Sequence, residues 1–172
     1  MFVPLAVGLI VLGLKLPAST AAPGVTTATV TVTGGFLSIS VPIDASSLGT
    51  RINTVGGGTI SGSLGQVQVT DARSAAAGSG WVASVISSAF TPPAGATIPA
   101  SAVSYTAGVI TKTGTATYTA NDPGNLTGVV PAVTATGITG DNSATWNPTI
   151  NVAVPGGTLA GIYSAIITHS VA

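Results

Sequence analysis

The sequence predicts an all-β fold, a β-sandwich with Greek-key-like connections and about nine to ten short strands. Three observations predict it. Strand-forming Thr and Val dominate the polar and apolar positions, because a branched Cβ packs well on a pleated surface. Glutamate is absent, and the other strong helix formers are scarce apart from Ala and Leu. Short apolar-alternating runs recur between Gly and Pro signals, the spacing expected of a sandwich.

The elements follow in order. Residues 25–33 read VTTATVTVT, in which Ala28, Val30 and Val32 share one face of a period-2 strand. Further strands are expected at 36–41, 58–64, 66–70, 81–87, 103–105, 115–119, 133–138, 144–154 and 161–171. Between them stand Gly34-Gly35, Gly56-Gly57-Gly58, Pro92-Pro93, Asp122-Pro123-Gly124, Gly140-Asp141-Asn142 and Pro155-Gly156-Gly157. Gly supplies positive φ and Pro fixes φ, so these residues punctuate strands. Residues 75–80 (AAAGSG) read as a flexible loop within one domain. The last strand carries Ile162, Tyr163, Ile166 and Val171, which ties the C-terminus into a sheet and leaves no sorting tail or anchor behind it.

Residues 2–14 form an apolar run of 13, followed by Lys15 and the small-residue patch Ala18-Ser19-Thr20-Ala21-Ala22. The run is too short to span a bilayer, and the patch offers small residues for cleavage after Ala21 or Ala22. Residues 1–22 are therefore expected to be a signal peptide, and 23–172 a single domain. No basic residue precedes the run, so a buried element or a retained lipid-facing anchor stays open. Export implies an extracellular, cell-surface or cell-wall location.

Composition narrows the function classes. Charged residues make up 5% of the chain against roughly 25% in ordinary domains. The formal net charge is zero, so no electrostatic footprint for nucleic acid exists. A hydrophobic content of 45% excludes the composition of disorder. One histidine and no cysteine argue against a zinc site, and no metal or small-molecule cofactor is expected.

Few residues carry chemistry. His169 is the only histidine, and no G-x-S-x-G elbow accompanies it, so a strand-end histidine is favoured over a catalytic base and no enzyme is expected. Asp71, Asp122 and Asp141 adjoin turn-type residues, where a carboxylate bonds nearby backbone N–H groups. A calcium site at Asp141 and Asn142 lacks the usual run of acidic ligands. Asp71 and Arg73 form a close opposite-charge pair before Trp81. Trp81 and Trp146 are either core residues or an aromatic platform for a sugar chain. Asn125-Leu126-Thr127 is a formal glycosylation acceptor, of a kind common by chance in a Thr-rich chain.

Taken together, Val69-Thr70-Asp71-Ala72-Arg73, a Gly-containing loop, Gly80-Trp81-Val82-Ala83 and then Phe90 resemble the WxL-type surface domain of Gram-positive bacteria. The ending, with Tyr163, Ile167, His169 and Val171, resembles its second Trp-x-Leu strand. Ala144-Thr145-Trp146-Asn147-Pro148 and the ending Thr168-His169-Ser170-Val171-Ala172 are similar to an actinobacterial WxL-like secreted group. Ala83 stands where the family has Leu, His169 where it has Trp, and Val171 where it has Leu. The resemblance implies export and non-covalent attachment to the cell wall through peptidoglycan or another glycan. Trp81, Asp71, Arg73, Trp146, Tyr163 and His169 are then the candidate contact residues. The alternative is a structural subunit that assembles into a layer or fibre with other surface proteins or further copies, since strand edges with few charges are poorly guarded.

Overall fold

The structure, a computed structural model, describes residues 27–45 and 47–172; the expected signal peptide lies outside them. The chain divides into a short N-terminal unit ending at Val32 and a larger unit, Thr33–Ala172. The larger unit is all-β, with no α-helix among the described residues and a single 3-10 turn at Ala100–Ala102.

Eight strands build two antiparallel sheets packed together. They are β1 Leu37–Ser40, β2 Gly58–Ser63, β3 Val67–Ser87, β4 Val103–Thr106, β5 Thr111–Ala120, β6 Val130–Trp146, β7 Thr149–Val154 and β8 Ile167–Val171. The first sheet runs β1-β3-β6-β5, with β8 also paired to β3; the second runs β2-β7-β4. Only β5 and β6 are both neighbours and consecutive in sequence, so the other pairings arise from crossovers between the sheets.

Two long arms tie the sheets together. The chain turns from β2 into β3 at Leu64-Gly65-Gln66, and from β6 into β7 at Asn147-Pro148. The two turns lie side by side: Ser63 pairs with Thr149, Val67 pairs with Trp146, and the Leu64 N–H donates to the Pro148 carbonyl at 3.0 Å. Gly65 makes this corner because its φ of +89° suits glycine, and a Cβ there would meet the Pro42 ring.

The core lies between the sheets. On β3, Val67 and Val69 at one end and Trp81, Ala83 and Val85 at the other point inward in alternation; on β6, Val133 and Ala135 do so before the bulges and Ala144 and Trp146 after them. Tyr105, Ile150 and Val152 come from the second sheet, and Leu126 from the loop before β6.

Several elements differ from the sequence reading. Residues 66–70 and 81–87 belong to one strand, β3, which runs through the expected loop 75–80 as a series of bulges. Likewise β6 continues through Gly140-Asp141-Asn142, with bulges in its pairing to β5. The surplus residues, on β3 between Asp71 and Ser79 and on β6 opposite Gly114, are taken up as bulges, so ladder pairing survives where isolated turn signals suggested a break. Residues 144–154 split at Asn147-Pro148, because proline cannot donate to a ladder. Residues 27–33 are not in a strand, and only Ile167–Val171 of the last expected strand is regular. Among the described residues the count is therefore eight, two of them long.

Candidate functional site

The candidate residues fall into two buried clasps and one open cleft. The first clasp grows from the inward row of β3. After Val67 and Val69, the next inward position is Asp71, a carboxylate with no exposed surface. An unpaired charge there would be very costly. Arg73 supplies the partner: its Nε donates to Oδ1 at 2.8 Å and its Nη2 to Oδ2 at 2.9 Å, a bidentate pair. The Arg73 backbone N–H also donates to Oδ1 at 3.1 Å, the local bond expected of an aspartate two residues upstream.

The same carboxylate accepts from Asn142 Nδ2 at 3.3 Å. The Asn142 Oδ1 in turn accepts from the Trp81 indole N–H at 2.9 Å and from the Tyr118 hydroxyl at 3.3 Å. Arg73 Nη2 closes the loop on the Gly80 carbonyl at 3.2 Å, drawing together the two ends of the bulged stretch. The Trp81 and Tyr118 rings lie 5.8 Å apart at 59°. Hydrogen bonds from the Arg73 guanidinium hold the Asp71 carboxyl below its usual range despite burial, and Asp71 raises Arg73 in return. Burial pushes the Tyr118 phenol up.

The second clasp joins the two sheets. The Trp146 indole N–H donates to the Tyr105 hydroxyl at 2.7 Å, and that hydroxyl lies 3.3 Å from His169 Nε2. An indole can only donate, so the Tyr105 oxygen accepts from Trp146 and its own proton is free to point at the imidazole. With that proton on the Nε2 contact, Nε2 accepts and the imidazole proton belongs on Nδ1. Burial lowers the His169 pKa to about 4 and raises that of Tyr105.

The cleft is the third feature. It has a volume of about 920 Å³ and lies between the 41–57 loop, the inner face of β2 and β7, the 158–166 loop and β8. Leu64, Phe90, Ile98 and Val152 contribute buried apolar surface to it. Its rim carries Val41, Ile43, Leu159, Ile162 and Ile166, all exposed. Tyr163 and His169 line it, with the Tyr163 hydroxyl donating to the Leu159 carbonyl at 2.9 Å. Arg51 fastens the loop beside it by donating to the Gly57 carbonyl at 2.7 Å.

The six candidate residues therefore separate. Asp71, Trp81 and Trp146 are buried and present no surface, each tryptophan being 2% exposed. The core alternative for the two tryptophans is what the geometry shows. Arg73 keeps 38% of its side-chain surface, but its guanidinium is committed to Asp71 and Gly80. Tyr163 and His169 alone face the cleft. Asp122 and Asp141 do bond backbone N–H groups, but distant ones and not those of their own turns: Asp122 Oδ1 accepts from the Ala107 N–H at 2.8 Å, and Asp141 Oδ1 from the Ser74 N–H at 3.0 Å. Among the described residues no group of three His, Cys, Asp or Glu side chains could hold a metal ion.

Sequence reasoning missed Asn142, Tyr105 and the cleft. Asn142 is in phase with Ala144 and Trp146, a signal hidden by the turn-like Gly140-Asp141-Asn142. Tyr105 is in phase with Val103 and Ala107. The cleft was signalled by large apolar residues in loops, at 41–55 and 159–166. Comparison of the chain with protein-family models, with curated proteins and with solved structures gave no match.

Proposed function

We propose that the chain is an exported, non-catalytic surface module that works by association, as a self-assembling structural subunit of a layer or fibre. The observation that carries this reading is the cleft with its exposed apolar rim, where Ile43, Ile162 and Ile166 stay in solvent next to a half-covered core. Exposed apolar groups grouped around a concavity mark an interaction surface, whereas single ones do not. The scarcity of charge supports the same reading, since Lys112 is the only charge on the outer strand β5.

A second reading, wall attachment, keeps one supporting observation. Tyr163 and His169 line the cleft beside the polar side chains Asp44, Arg51 and Asn53, an arrangement suited to a sugar chain. The residues that resemble the first WxL-type motif form the Asp71–Trp81 clasp. The resemblance therefore lends this proposal a fold and an exported setting, and a wall contact passes through the cleft.

Two measurements on the secreted protein test these readings. Sedimentation over rising concentration gives growing assemblies if copies associate, and a single monomeric species at high concentration contradicts it. Pelleting with insoluble peptidoglycan that Tyr163→Ala abolishes, with the protein otherwise monomeric, makes wall attachment the correct reading.

A further inference from the structure

Resting on the self-association reading above, we propose that residues 27–33 of one copy add as a strand to the open edge of β8 in a second copy, seating Val30 and Val32 over the apolar cleft.

The acceptor edge follows from the ladder. Val82 and Ala172 exchange both backbone hydrogen bonds, at 2.8 and 3.2 Å. Antiparallel alternation then turns the N–H and C=O groups of Ser170 and Thr168 toward β3. Those of Ile167, His169 and Val171 point the other way, and among the described residues nothing bonds them. The side chains of Ile167 and His169 line the cleft. Free backbone groups and an apolar trough thus lie side by side, the two parts that strand addition needs: the ladder supplies affinity, and the trough takes alternate side chains.

The donor is equally plain. Residues 27–33 read TATVTVT, uncharged and alternating, yet they lie in no strand. Val30 is 89% exposed and Val32 82%. Seven extended residues reach about 23 Å, enough to run beside the five of β8, which span about 17 Å. Donor and acceptor are different segments, so pairing between copies is heterologous and head-to-tail, the kind of contact that propagates into a fibre or sheet.

The full secreted chain provides the test. Val30 and Val32 are solvent-exposed, so the double substitution Val30→Lys, Val32→Lys leaves the monomer folded. Sedimentation of this variant should show association weakened roughly tenfold or more, because two ammonium groups must enter an apolar trough. The chain has no cysteine, so single thiols can be placed at will. Thr31→Cys in one tagged preparation and Ser170→Cys in another, mixed and treated with a short bis-maleimide, should give a band containing both chains. Wild-type assembly that the lysine variant reproduces unchanged overturns the strand and leaves self-association standing. So does a Thr31→Cys, Ser170→Cys double variant that cross-links only within one chain. A wild-type protein that stays monomeric overturns both.

Discussion

Asp71 shows how one residue can be legible and still be misjudged. Its closeness to Arg73 is plain in the sequence, but whether the pair is exposed depends on the phase of β3. Counting by twos from Val67 and Val69 places Asp71 inward, where it is fully buried. The two members are unequal, because Arg73 retains 38% of its surface. Removing Arg73 strands a buried carboxylate, whereas removing the charge of Asp71 leaves a guanidinium able to turn to solvent. Breaking a buried pair costs about 3–5 kcal/mol, and the exposure of Arg73 lowers this to about 2–4 for Arg73→Ala. Asp71→Asn should cost less, about 1–2 kcal/mol. Urea denaturation of both variants checks the order; equal losses would mean the pair acts as a surface bridge.

His169 makes a separate residue-scale prediction. Its folded pKa of about 4 lies below the ordinary 6.5, so the unfolded chain binds more protons between these values. Stability is then complete above pH 6.5 and falls as pH drops toward 4, by at most about 3 kcal/mol. Asp71 has a lowered pKa, so its contribution is lost only at more acid pH, as the carboxylate protonates. Thermal melts of His169→Gln should lose the slope between pH 6.5 and 4 and keep the steeper acid limb. An unchanged slope would place the imidazole in solvent.

At the scale of elements, short strands with clean alternation were readable: β1, β2, β4 and the ends of β3 all fall close to their expected places. The long strands were not. Gly78, Gly80, Gly137 and Gly140 signal breaks in a single sequence, but the surplus residues on β3 between Asp71 and Ser79 and on β6 between Ile138 and Ala135 are taken up as bulges, and the ladder resumes after them. A paired bulge is a two-strand property, invisible when each strand is read alone. Residues 27–33 failed in the opposite sense: the local pattern is strand-like, but pairing within the unit is missing. Gly114 lies on β5 opposite the residues that bulge from β6, between the pairs Thr113–Ser143 and Thr115–Thr139. Its φ is +86°, and a Cβ would come within 2.5 Å of the Asp141 carbonyl. Gly114→Ala should therefore destabilise by about 1–3 kcal/mol and raise amide exchange at Thr113 and Thr115. Protection equal to the wild type would mean that the bulge has room to spare.

At the scale of the whole molecule, an almost uncharged chain buries few polar side chains, Asp71, Ser87 and Asn142 among the described residues, and bonds the first and last of these into one clasp. The clasp of Asp71, Arg73, Asn142, Trp81 and Tyr118 fixes the bulged arm, and that of Trp146, Tyr105 and His169 joins the two sheets. Both tryptophans are spent on packing, each worth about 3–5 kcal/mol against alanine. On the proposed reading, recognition falls to the cleft and the strand edge beside it. The sequence carried the fold class, since composition and alternation are local. It could not carry the cleft, which exists only where two loops approach from distant parts of the chain.

That division of labour is tested most directly by the fluorescence of the native chain, which has two tryptophans and therefore a simple signal. With both indoles in the core, emission should be blue-shifted and iodide should quench almost none of it until denaturant is added. Red-shifted emission that iodide quenches in the native state would place a tryptophan on the surface and return recognition to an aromatic platform.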